Sequence, residues 1–241
     1  MRKSARYWRL FAWRFVSYFS ILISIVWLFT LAFPIITAEF NYRRDQLFGV
    51  HYSLEPEVTT SQGTGLLSGS GGGGTEGGGN SAGFSQIQAN VNIIKPASTD
   101  YGIVIEKINA NAKVIPDVNP ANERQYTQAL AQGIAEAAGS TKPGQVGNLF
   151  VFSHSADGPF NISRYNAIFY LLKELEKGDK IVIFYQGRRF DYIVFDKTVV
   201  DPKNTEFLTN RYDKPVLTLQ TCDPPGTLNN RLIVRAQLQG S

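Results

Sequence analysis

At 241 residues the chain exceeds the roughly 100–150 residues of one ordinary domain, so a single globular body with additional segments is expected. The formal charge of +4 does not indicate nucleic acid, because Arg2, Lys3, Arg6, Arg9 and Arg14 more than account for it and the remainder is slightly acidic. One cysteine excludes an internal disulfide, so the body must be held by its core alone.

Residues 1–14 form a basic tail without an acid, and residues 15–38 then run without a charged side chain. That stretch exceeds the roughly 20 residues needed to cross a bilayer as a helix, and Trp8, Trp13 and Tyr18 suit the interface. The basic flank predicts a single-pass protein of the cell membrane, with a cytoplasmic N-terminus and an extracellular body. The rival reading is a cleaved signal peptide, since Ile36-Thr37-Ala38 loosely resembles a cleavage site. The apolar run is well beyond the usual 7 to 15 or so residues of a signal core, which favours an uncleaved anchor.

Residues 39–60 read as a mixed juxtamembrane segment containing Arg43, Arg44 and His51. Residues 61–83 are rich in Gly and Ser, offer no apolar face and read as a flexible linker spanning about 25–30 Å. On this reading the body, residues 84–241, swings free of the bilayer. Within it, β-like runs recur at 101–108, 148–153, 179–185, 189–200, 215–222 and 231–238, with Gln186-Gly187 as a tight hairpin between two of them. Residues 122–138, rich in Ala and Gln, have helical character. So do residues 163–177, where Ile168, Phe169, Leu172 and Leu175 share a face. Strands without regular strand–helix alternation predict an all-β, closed or nearly closed barrel with two short helices, preceded by the transmembrane helix.

The lone thiol ends a strand. In the run Pro215–Cys222, Leu217, Leu219 and Thr221 share one face, while Thr218, Gln220 and Cys222 share the other. Cys222 is therefore off the apolar face, although a lone cysteine is more often a small buried hydrophobe. Asp223-Pro224-Pro225-Gly226 must end the strand. If the chain returns antiparallel, Cys222 and Arg231 meet at one rim, and Arg235 shares their face. A nucleophilic thiol needs a proton acceptor or a cationic neighbour. His51 lies before the linker and is poorly placed, whereas His154 follows the apolar run LFVFS and opens a polar loop. A histidine there is still more often structural, and each arginine is by itself more often a solvated strand charge.

These residues together match a known pattern. Thr218-Leu219-Gln220-Thr221-Cys222 is the TLxTC signature of the sortases, membrane-anchored cysteine transpeptidases, which the chain resembles. Arg231 followed by Leu-Ile-Val, and GNLFVFSHS ending near His154, resemble that family's arginine strand and histidine strand. Arg164-Tyr165 and LEKGDK before a hairpin add to the likeness, which spans roughly residues 100–238. Phe152-Ser153 stand where Ala-Gly is common, and Ser155 replaces an arginine, so the subclass stays open between housekeeping-like and class D/E-like.

The resemblance implies a barrel of about eight strands and the cleavage of a sorting signal of the Leu-Pro-x-Thr-Gly type. Cys222 is the implied nucleophile, His154 the proton carrier and Arg231 the oxyanion or backbone holder, with Arg235 as fallback. Thr221 is implied to assist the oxyanion pocket through its hydroxyl or amide, and the loop 201–214 to wall the groove. The implied partners are surface proteins bearing sorting signals, an amine acceptor such as a peptidoglycan precursor, and the membrane. Some sortases bind calcium, but no matching acidic cluster stands out, and the spacing of His, Cys and acids gives no zinc site, so no cofactor is expected. Two alternatives remain: a non-catalytic exported barrel that binds a surface partner, and a cysteine peptidase that hydrolyses the same kind of peptide.

Overall fold

The computed structural model describes residues 5–54, 91–155 and 167–240; the Gly-rich tract 61–83 and the start of the second helical stretch lie outside them. The first element, α1 (Ala5–Leu47), is a single helix of 43 residues. Its segment Phe11–Thr30 is long and apolar enough to cross a bilayer, and none of it is buried. The helix does not stop where the uncharged run ends at Ala38, and its last turns reach the globular body. Glu39 pairs with Lys173 at 3.4 Å, Tyr42 packs on the main core, and Asp45 accepts a hydrogen bond from the Tyr52 hydroxyl at 2.7 Å.

Strand β1 (His51–Leu54) then pairs in parallel with β2 (Val91–Ile94). Leu54, Ile94 and Tyr52 pack on Val104, Val182 and Phe184, and the Leu54 amide donates to the Glu106 carboxylate at 2.9 Å. The expected freely swinging body therefore has two attachments, the end of α1 and the small β1–β2 sheet.

Eight strands form the barrel: β3 (Tyr101–Ile105), β4 (Ala110–Val118), β5 (Ile134–Ala137), β6 (Gly147–Phe152), β7 (Lys180–Tyr185), β8 (Arg188–Val200), β9 (Pro215–Asp223) and β10 (Asn230–Leu238). They close in the order β10-β8-β7-β3-β4-β5-β6-β9, which leaves the barrel no free sheet edge. The all-β, eight-stranded expectation holds. The Gln186-Gly187 turn is the expected tight hairpin: both residues have positive φ, 50° and 73°, as the right-handed twist of the flanking strands demands.

Aliphatic side chains such as Ile103, Ile183, Leu217, Leu219 and Val234 fill the interior. A kinked run of 3-10 turns, Ala167–Glu174, plugs it with Phe169 and Leu172, joined by Leu175 just beyond. The one carboxylate buried among the described residues, Glu136, is satisfied by the Tyr101 hydroxyl and by Lys142 at 2.6 Å.

One helical expectation is corrected. Residues 122–138 are not one helix but α2 (Glu123–Leu130), capped by the Asn122 side chain on the Gln125 amide, followed by β5. The break lies at Gly133, where a Cβ would come within 2.2 Å of the Lys113 carbonyl oxygen of β4. Alanine-rich composition favours helix, but Ile134 to Ala137 are buried on both faces and take their backbone partners from β4 and β6. Gly133→Ala should therefore destabilise the barrel by about 1–3 kcal/mol through overpacking. Urea unfolding at unchanged slope would read this as a lower midpoint, and an unaltered midpoint would remove Gly133 as the reason the helix ends.

Candidate active site

Strand pairing brings the three chemical residues together. β9 and β10 are antiparallel with Cys222 directly opposite Arg231, which sets their Cα atoms about 4.5–5.5 Å apart. β6 and β9 are parallel with Phe152 beside Gln220, so His154 and Cys222, each two residues further on, end level on the same rim. The alignment continues past the ladder: the Ser153 amide donates to the Gln220 carbonyl at 3.1 Å. The Thr221 hydroxyl donates to the Ser153 carbonyl at 3.0 Å. His51, by contrast, lies on β1, outside the barrel ladder.

The face assignment of β9 also holds. Leu217 and Leu219 enter the core, whereas Gln220 and Cys222 open onto a surface cavity of about 300 Å³ that His154 and Arg231 also line. Phe150, Phe152, Tyr126 and Leu130 give this cavity an apolar floor and one wall. The opposite wall comes from the connection 201–214, through Pro202, Asn204, Thr205 and Leu208. That connection contains the single helical turn α3 (Glu206–Thr209). A larger cavity of about 530 Å³ lies between the end of α1 and the residues following β3. Of its ionic groups Arg44 pairs with Asp45 and Lys107 with Asp179, while Glu106 accepts from the Leu54 amide, and none of Cys222, His154 or Arg231 lines it.

Cys222 is half-buried, and His154 likewise. Burial pushes the Cys222 thiol above its ordinary range, and the positive charge of Arg231 only partly offsets this. The two arginines of β10 differ in their partners. Arg231 donates to the carbonyls of Asn230 at 3.0 Å and Leu228 at 3.4 Å and makes no ion pair among the described residues. Arg235 is held by Asp196 at 2.8 Å and is absent from the cavity lining. Thr221 is buried, and its hydroxyl is committed to the carbonyl that precedes His154. Ser155, also buried, accepts from the Gly226 amide at 3.3 Å and ties the turn after β9 to the histidine segment. Among the described residues no group of three or more His, Cys, Asp or Glu is gathered for a metal ion.

Sequence reasoning did not find Tyr126, Leu130, Phe150 or Leu228 as lining residues. The first two sit on a helix whose end was misplaced. Phe150 has the pattern of an ordinary strand hydrophobe, although its face lies outside the barrel in a second apolar cluster with Val118, Ala129 and Leu130.

Comparison with known proteins bears on the same region. The sortase domain family matches residues 103–239. Sortase D of Bacillus subtilis (strain 168) is 25% identical over 126 residues, which are 52% of this chain and 55% of that protein, so the chain spans about half the length of that relative. Among solved structures, sortase C-1 from Actinomyces oris has a TM-score of 0.49 at 25% identity, covering 58% of this chain and 73% of that one. Sortase A from Corynebacterium diphtheriae has a TM-score of 0.49 at 27% identity, with 60% and 62% covered. A sortase D5 transpeptidase from Clostridium perfringens has a TM-score of 0.47 at 25% identity, with 61% and 82% covered. With the family match running from β3 to the end of β10, across more than half of its length, the chain belongs to the sortase family.

Proposed function

We propose that this sortase is a cysteine transpeptidase that cuts a sorting signal of the Leu-Pro-x-Thr-Gly type and transfers the upstream protein to an amine of the cell envelope. The observation that carries this reading is the meeting of a half-buried thiol, an imidazole and an arginine without a carboxylate partner among the described residues around one cavity with an apolar floor. The Cys222 sulfur attacks the scissile carbonyl and a carbon–sulfur bond forms as the carbon–nitrogen bond breaks. Because the buried thiol starts protonated, its proton passes to His154 and from there to the departing amine. In the second half an incoming amine gives its proton to His154, forms a new amide and releases the thiol, so the enzyme ends as it began. Arg231 supplies fixed positive charge beside the developing oxyanion, in a partly dry site where such charge counts most.

Thr221 supports the site through its amide and through the tie that sets the histidine strand end, because its hydroxyl already has a partner. Residues 15–38 are the anchor, residues 1–14 the cytoplasmic tail, and the barrel faces outward; the basic flank and the unburied apolar helix support this arrangement. Surface proteins carrying the sorting signal and a peptidoglycan-type amine are the partners that fit.

The test is a quenched Leu-Pro-Ala-Thr-Gly peptide incubated with the full chain in detergent, with and without glycinamide. Cleavage with an amide adduct is expected. Hydrolysis indifferent to amine would make the protein a peptidase, and silence from a natively folded protein would leave a binding barrel. Cys222→Ala should abolish turnover, while His154→Ala and Arg231→Ala should each lower kcat by about 10²–10³. Full activity in Arg231→Ala would remove that residue from the chemistry.

The raised thiol also makes a pH prediction. Alkylation of Cys222 by iodoacetamide should keep accelerating beyond the pH at which a free cysteine, with a pKa of about 8.5, levels off. A plateau near neutrality would indicate a resting thiolate and would contradict the proton route given above.

A further inference from the structure

Arg235 lies four residues beyond Arg231 on β10, opposite Thr218 of β9 and Asp196 of β8. Its Nε and Nη2 donate to Oδ2 of Asp196 at 3.0 and 2.8 Å, and its Nη1 donates to the Tyr212 hydroxyl at 3.3 Å. The guanidinium carbon is 5.2 Å from the ring centre of Phe195 and 5.4 Å from that of Phe207. Phe195 and Asp196 belong to the barrel wall, whereas Phe207 and Tyr212 belong to the connection 201–214. One planar cation is thus shared between the two.

A second anchor meets the same turn from below. The Asn148 amide nitrogen donates to the Phe207 carbonyl at 2.9 Å, and its oxygen accepts from the Thr218 hydroxyl at 2.8 Å. Thr218 is fully buried and Asn148 nearly so. Between the anchors, α3 is only four residues long and its N-cap has no side-chain hydrogen bond. A single isolated turn does not hold itself, so its place comes from these contacts together with the packing of Phe207 and Leu208 on the outer apolar cluster. Thr205 and Leu208, from the same turn, face the cavity that holds Cys222 and His154.

We propose that Arg235, together with Asn148, is a positioning residue that fixes the α3 wall of the peptide groove at its distance from Cys222 and thereby sets affinity for the peptide. This rests on the transpeptidase reading for its substrate but not for its geometry. Lysine cannot replace the residue, because two bonds to Asp196, one to Tyr212 and two ring contacts need a flat, forked cation. Arg235 takes no part in the bond-making steps.

Full-length Arg235→Gln, Arg235→Lys and Phe207→Leu answer the question. The last removes the ring from the loop side and leaves the Arg235–Asp196 pair in place, so it serves if Arg235→Gln fails to fold. For the Leu-Pro-Ala-Thr-Gly peptide with glycinamide, Arg235→Gln and Phe207→Leu should raise KM about 5- to 10-fold with kcat within about twofold. Arg235→Lys should recover less than half of the loss, and alkylation of Cys222 should stay within about twofold of the parent. An unchanged KM in both variants overturns the proposal, and so does a large fall in kcat at constant KM. Should the parent fail to turn over the peptide, the transpeptidase reading falls and hydrogen exchange decides the clamp. Amides 206–212 should exchange about tenfold faster in Arg235→Gln while β6 and β9 keep their protection, and unchanged exchange there overturns it.

Discussion

The parallel pairing of β6 with β9 is the constraint on which the site depends. Two parallel strands finish at the same end of a sheet, so the residues that follow them are delivered to one rim. His154 and Cys222 are such residues, about 70 positions apart in the chain and level in the ladder. Adding β10 antiparallel to the far side of β9 starts a third strand at that rim and places Arg231 there. Because β9 is flanked on both sides, its register cannot slip without breaking both ladders and turning Leu217 and Leu219 out of the core. The aliphatic interior and the placement of Cys222, His154 and Arg231 are therefore fixed by the same hydrogen bonds.

The outer surface of those strands is as organised as the inner one. Phe150 and Phe152 point away from the barrel axis into a second apolar cluster with α2 and α3, and this cluster becomes the floor and sides of the cavity. Covering the outer face of β6 and β9 with two short helices leaves a trough rather than an open wall. The polar contacts of Asn148, Thr218 and Arg235 help to hold the connection that carries α3, whose single turn could not hold itself.

How far this was legible in the amino-acid order depends on which interaction decided each element. Strict alternation made the faces of β9 readable, and the Pro-Pro-Gly turn made the pairing of Cys222 with Arg231 foreseeable. β4 was missed because Ala110 to Val118 mixes Asn, Lys, Pro and Asp into a strand whose burial follows its partners. β5 was read as helix because alanine is a good helix former, and the glycine that ends α2 matters through a carbonyl on another strand. The separate fates of Arg231 and Arg235 share one residue type and one strand face. Only the positions of Asp196, Tyr212 and two phenylalanine rings tell them apart.

The side-by-side lie of β1 and β2 changes what the glycine-rich tract between them can do. The chain leaves at Leu54 and returns at Val91 on neighbouring strands that are already zipped together. Pulling on the barrel would strain Glu39, Tyr42, Asp45 and the β1–β2 ladder before any tension reached residues 55–90. The load between α1 and the barrel is then borne by the short β1–β2 ladder and the contacts at the end of α1.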